Sequence, residues 1–134
     1  TYLATSSAIE YALNVLKVTN IIICGHSNCG GCRALYSDKL LEQLPLTRKW
    51  LELAAPVKQQ VKEKILKEKL KACRRDLLTE HLNLLEQMNH LLTFPYIKDK
   101  FEKGELTIMG WYYIIEKGEV YNYSAEKQIF ERIE

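Results

Sequence analysis

The sequence predicts an α/β domain in which helices pack on a parallel sheet and an antiparallel strand closes one edge. Two observations lead there. The β-branched run Ile21-Ile22-Ile23 stands between two stretches of helical character, which is half of a β-α-β unit. Residues 105–123 then change to β-formers around Glu116-Lys117-Gly118-Glu119, a hairpin turn. At 134 residues the chain has the length of a single domain, 1–134.

Thr1 to Lys17 reads as a helix with Leu3, Ala8, Ala12, Leu13 and Leu16 on one face. Ser7 and Glu10 form a capping box, unless the helix already starts near Thr1 and leaves them as surface polar residues. The turn pair Thr19-Asn20 leads into a short buried strand, Ile21–Cys24, with Cys24 facing the core. Cys29 to Tyr36 is a short helix and Asp38 to Pro45 a loop. A helical stretch follows from about Thr47, and Pro56 opens a further turn, where its missing N–H does no harm.

Lys58 to Arg75 carries eight basic residues. It reads as a solvated amphipathic helix with Val57, Val61, Ile65, Leu66 and Leu70 as its buried stripe, since no aromatics are interleaved to stack bases. Asp76 to Thr93 is a long helix whose leucines give a broad apolar face. His81 and His90 lie on or beside that face as polar surface residues, without a cysteine or carboxylate at metal spacing. Phe94-Pro95 stops this helix and starts another, ended by Gly104. Trp111, Tyr112 and Tyr113 are core and interface residues or the lining of a pocket. The last eleven residues are an exposed segment by default.

Composition excludes several classes of function. A 47% hydrophobic and 27% charged chain is an ordinary globular one. A net charge of +2 is too small to call for nucleic acid as a partner. No apolar run approaches the ~18 residues of a membrane span. Three of the four cysteines fall within nine residues, 24–32. That clustering points to metal or reduced thiols in a cytoplasmic setting rather than to a secreted disulfide framework.

The chemistry concentrates in Cys24-Gly25-His26-Ser27-Asn28-Cys29-Gly30-Gly31-Cys32. His26 and Cys29 are three residues apart on a strand-to-helix turn, a spacing that lets one zinc ion (Zn2+) touch imidazole nitrogen and thiolate sulfur. A helix N-terminus beside Cys29 favours its thiolate. Two other readings use the same residues. His26 and the cysteines can simply fill a tight turn, or Cys29 and Cys32 can form a C-x-x-C redox pair of thioredoxin type, a thiol-disulfide oxidoreductase. The redox reading ranks below metal, because it leaves His26 without a role and the pair lacks an internal proline.

The segment Cys24–Cys32 resembles the second zinc motif of the β-class carbonic anhydrases, in which a strand, G-H-S/T-x-C-G and a helix supply a histidine and a cysteine. The likeness extends to Ser7–Ala12, to Thr79-Glu80-His81-Leu82-Asn83 with Gln87, Asn89 and Leu91, and to Leu106–Ile115 with Gly118–Tyr121. It covers nearly the whole chain in order and is nearest to the bacterial members, the Helicobacter and Campylobacter type. The resemblance implies a three-layer fold around a central, mostly parallel sheet with an antiparallel C-terminal hairpin. It implies zinc-dependent reversible hydration of carbon dioxide to bicarbonate. His26 and Cys29 would be metal ligands, and Gly30 would offer its backbone N–H to the substrate oxygen. A homodimer or tetramer is implied as well, with no nucleic-acid or membrane partner.

One part of the family pattern is absent. The C-x-D-x-R motif, which supplies a second cysteine ligand and an aspartate–arginine pair, does not occur. Asp38, Asp76 and Asp99 all follow His26, and none sits two residues after a cysteine. No catalytic residue can therefore be assigned. The chain reads as the C-terminal part of a β-carbonic anhydrase domain lacking its first strands, so an inactive truncated fold is the remaining alternative.

Overall fold

The computed structural model describes residues 3–134. Helices α1 (Leu3–Asn14), α2 (Gly30–Ala34), α3 (Asp38–Glu42), α4 (Pro45–Leu51), α5 (Ala55–Lys67), α6 (Arg75–Leu91) and α7 (Pro95–Glu102) accompany strands β1 (Asn20–His26), β2 (Thr107–Ile114), β3 (Glu119–Ser124) and β4 (Ile129–Arg132). The strands form one sheet in the order β1-β2-β3-β4.

The α/β class and the C-terminal hairpin are as expected. The sheet is mixed: β1 and β2 are parallel, with Ile23 opposite Gly110 and His26 opposite Tyr113. The pairs β2–β3 and β3–β4 are antiparallel. The connections explain the difference from a mostly parallel sheet. Residues 27–106 carry six helices from β1 to β2, ample for a crossover, whereas β2, β3 and β4 are joined by short turns that permit only antiparallel neighbours. In the first of these turns Gly118 adopts φ +66°, and its N–H reaches the Ile114 carbonyl at 2.9 Å. A fourth strand, β4, occupies part of the C-terminal segment, exposed at Ile129 and Arg132 and half-buried between them.

The strand β1 is longer than its apolar run and only half-buried. Its exposure alternates, with Ile21, Ile23 and Gly25 turned inward and Ile22, Cys24 and His26 outward. Gly25 sets the phase, because a Cβ there would lie 3.2 Å from the Leu84 side chain. The helix α6 thus presses on the odd positions, and period-2 alternation turns Cys24 out, contrary to its expected place in the core. The outer face remains open at Ile22 and Tyr113, 43% and 37% exposed.

Two apolar clusters flank α6. Leu13, Leu91, Ile97 and Leu106 join α1, α6 and α7 to the inward side chains of β1 and β2. Leu35, Leu41, Leu51, Val57 and Val61 pack α2 to α5 around the far side of α6. Each fully buried valine or leucine stabilises the fold by roughly 1.5–3 kcal/mol. The expected loop at 38–45 contains α3, whose Leu41 enters this second cluster. The expected capping box is not formed. Ser7 Oγ donates to the Ala4 carbonyl at 3.0 Å, so the helix is already under way at Ser7. The part of that helix expected at Thr1 and Tyr2 lies outside the described residues.

Candidate metal centre at the β1–α2 turn

The residues His26 to Gly30 turn the chain from β1 into α2. Asn28 takes the left-handed conformation at φ 54°, which asparagine tolerates better than most residues. Cys29 follows in extended geometry as the N-cap of α2, and its carbonyl accepts the Arg33 N–H at 3.0 Å. The turn brings the sequence-expected ligands, His26 and Cys29, to the same end of the parallel strand pair.

Two carboxylates hold this turn. Glu116, from the β2–β3 hairpin, accepts the Ser27 hydroxyl at 2.8 Å through Oε2 and the Asn28 side-chain amide through Oε1. Ser27 Oγ also accepts the Ile115 N–H at 2.9 Å, and the Ser27 N–H continues the strand ladder to the Tyr113 carbonyl. From the other side, Glu80 Oε1 accepts the Cys29 N–H at 2.9 Å. Its Oε2 accepts the Tyr112 hydroxyl at 2.6 Å. Glu80 is only 6% exposed and Tyr112 only 3%. Burial, then the bond to Glu80, pushes the Tyr112 hydroxyl far up from its ordinary value, so it remains a donor.

Sequence reasoning did not single out Glu80 as a site residue. A signal was available, because Glu80 lies four residues before the buried Leu84, on the apolar stripe of α6. A carboxylate in such a stripe must find partners when buried. His81, expected at the surface, is packed instead between Tyr112 and Phe130, with ring centroids at 4.4 and 4.2 Å.

The residues fit part of a zinc site. His26 Nδ1 lies 2.9 Å from the Ser27 carbonyl, so a proton there leaves Nε2 with a free lone pair. Cys29 is a free, half-buried thiol at a helix start. Among the described residues, no group of three or more His, Cys, Asp or Glu converges on one point. A catalytic zinc takes three protein ligands, so the two donors expected from the sequence, His26 and Cys29, would not complete such a site by themselves. Cys32 is a poor third. It is buried, and its thiol is pushed up to about 12 by that burial first, then by the Cys29, Glu80 and Asp76 charges and a hydrogen bond to Cys29. Cys24 is exposed on the outer face of the sheet, and its Sγ is turned to the Gly25 carbonyl at 3.6 Å.

Gly30 begins α2, so its N–H has no carbonyl behind it in the helix. A Cβ at Gly30 would meet nothing within 4 Å, so space alone does not require glycine there. Beside Cys29 opens a cavity of about 240 Å³, walled by Leu35, Trp50, Leu51 and Leu53 with the amides of Asn83 and Gln87.

Comparison with known proteins shows the family. The carbonic anhydrase family profile matches residues 1–120. A carbonic anhydrase of Helicobacter pylori is 40% identical over 134 residues, covering 98% of this chain and 60% of that protein. A Pseudomonas aeruginosa carbonic anhydrase is 36% identical over 115 residues, 86% of this chain and 51% of that protein. Among solved structures, the β-carbonic anhydrase CcaA superposes with a TM-score of 0.87 at 33% identity, covering 96% of this chain and 57% of that one. A tetrameric β-carbonic anhydrase of Sordaria macrospora gives 0.76 at 26% identity, covering 93% and 62%. The chain thus spans about 60% of the length of the Helicobacter relative. With nearly the whole chain matched in sequence and in fold, it belongs to the β-class carbonic anhydrases.

Proposed function

We propose that the protein carrying this chain hydrates carbon dioxide reversibly to bicarbonate and a proton, with zinc held by His26 and Cys29. The observation that carries the reading is the His26–Cys29 pair on a turn fixed from both sides by Glu116 and Glu80. Zinc, when bound, lowers the pKa of a coordinated water, to about 7 in the three-histidine carbonic anhydrase of another class. The chain's own residues supply the setting. The Ser27 carbonyl holds the His26 ring and its tautomer. Gly30 N–H is free to donate to an oxygen of the substrate, a role for a preorganised backbone donor. Among the described residues no third protein ligand joins His26 and Cys29.

We also infer assembly as a homodimer or tetramer. The open outer face at Ile22 and Tyr113, and the position of β1 at an edge of the sheet, support it. A cytoplasmic setting agrees with four free thiols. No helix among the described residues is long and apolar enough to cross a membrane.

Stopped-flow hydration of carbon dioxide tests the reading. Zinc-supplied protein extended to the length of its relatives is expected to be active, and Cys29→Ser or His26→Ala to abolish that activity. The 134-residue chain alone is expected to be slow, because each missing ligand weakens metal binding. Undiminished activity in Cys29→Ser would overturn the assignment.

A further inference from the structure

We propose that Glu80 is the positioning residue of this centre: its buried carboxylate fixes the Cys29 backbone and so aims the Cys29 sulfur at the metal. The inference rests on the zinc reading above and adds to it a residue outside the ligand set.

Three observations combine. First, Cys29 is the N-cap of α2 and has no side-chain cap bond, so the direction of its Cα–Cβ bond depends on how its backbone is held. The Glu80 Oε1 bond at 2.9 Å supplies that hold, across 51 residues of sequence. Second, the hold is itself anchored. Tyr112, on β2 next to β1, donates to the other oxygen at 2.6 Å, so the carboxylate cannot rotate away without breaking a buried bond. Its 6% exposure leaves little room for water to compete. Third, its charge is uncompensated. Among the described residues no lysine, arginine or histidine forms an ion pair with Glu80, and both of its hydrogen-bond partners are neutral. Burying a carboxylate without a cation is costly. A divalent cation held by Cys29 would lessen that cost, since the Glu80 carboxylate bonds the Cys29 backbone.

Orientation of a ligand by an outer carboxylate typically changes metal affinity by about 10- to 100-fold. The test uses the full chain loaded with cobalt in place of zinc, its thiolate-to-metal absorption band, and zinc affinity by chelator competition. Glu80→Ala is expected to weaken zinc by about 10- to 100-fold and to diminish the band. Glu80→Gln, which keeps an acceptor for the Cys29 N–H, is expected to recover part of both. Ile97→Ala, in the cluster of Leu13, Leu91 and Leu106, is destabilised without touching the turn, so its folded fraction should bind as the parent does; that separates positioning from loss of fold. Unchanged affinity and an unchanged band in Glu80→Gln and Glu80→Ala would overturn the proposal. Should Glu80→Ala not fold, Tyr112→Phe, which removes the anchor of the carboxylate, is expected to weaken zinc and diminish the band, and unchanged values in it would overturn the proposal. A parent chain whose band survives Cys29→Ser would instead overturn the zinc reading, and this inference with it.

Discussion

Ser27 and Glu116, 89 residues apart in sequence, are joined by a 2.8 Å hydrogen bond that ties the turn after β1 to the hairpin after β2. The same carboxylate receives the Asn28 amide, the residue in left-handed conformation. Glu116→Ala should therefore loosen residues 27–29 while leaving α5 unaffected. Amide hydrogen exchange is expected to quicken at Ser27 to Cys29 and at Ile115; unchanged exchange there would show that the ladder bond to Tyr113 suffices. The pH dependence has a definite sign. The Glu116 carboxyl is held below its ordinary value by its own backbone N–H first and by Ser27 and Asn28 after it. The clamp is thus fully present above about pH 4.5, the ordinary value, and is lost as pH falls through the lower folded one.

His81 gives a second pH effect, in a different window. Burial lowers its pKa from 6.5 to about 4, and its Nε2 has no hydrogen-bond partner. The unfolded chain takes up the proton near 6.5 and the folded one only near 4, so stability falls as pH drops between those values. Between pH 7.5 and pH 5 the loss from this residue alone is about 2 kcal/mol. Urea unfolding at the two pH values measures it. His81→Phe keeps an aromatic ring between Tyr112 and Phe130 and should remove most of the difference.

His81 and Glu80 also mark where sequence reading stopped. The apolar stripe of α6 was legible, as were α7 and the hairpin at 115–118, whereas the helix expected over Lys58–Arg75 ends at Lys67 and its Leu66, expected in the buried stripe, is exposed. Local periodicity cannot tell that α6 is covered on two sides, by the sheet and by α5, so His81 was expected at the surface. The partners of Glu80 lie 51 and 32 residues away, and no local pattern encodes such distances. Cys24 was misplaced for a related reason. Three isoleucines in a row suggest burial on both faces, whereas the contact of Gly25 with Leu84 decides which face is inside.

Gly110 makes that packing testable. A Cβ there would lie 2.6 Å from both Leu84 Cδ2 and Met88 Sδ. Gly110→Ala is expected to destabilise the chain by about 1–3 kcal/mol through overpacking. Adding Met88→Ala should cost less in the Gly110→Ala background than in the parent, because it vacates one of the two clashing atoms. A double-mutant cycle by chemical denaturation reads the coupling; strictly additive effects would mean the clash is relieved elsewhere.

The most direct measurement is zinc-edge X-ray absorption on the zinc-loaded protein, with Cys29→Ser and His26→Ala beside it. The expected shell contains sulfur at about 2.3 Å and imidazole nitrogen at about 2.0–2.1 Å. The sulfur contribution should fall in Cys29→Ser and the imidazole contribution in His26→Ala. A zinc shell unchanged by both substitutions would place the metal elsewhere and contradict the assignment of His26 and Cys29.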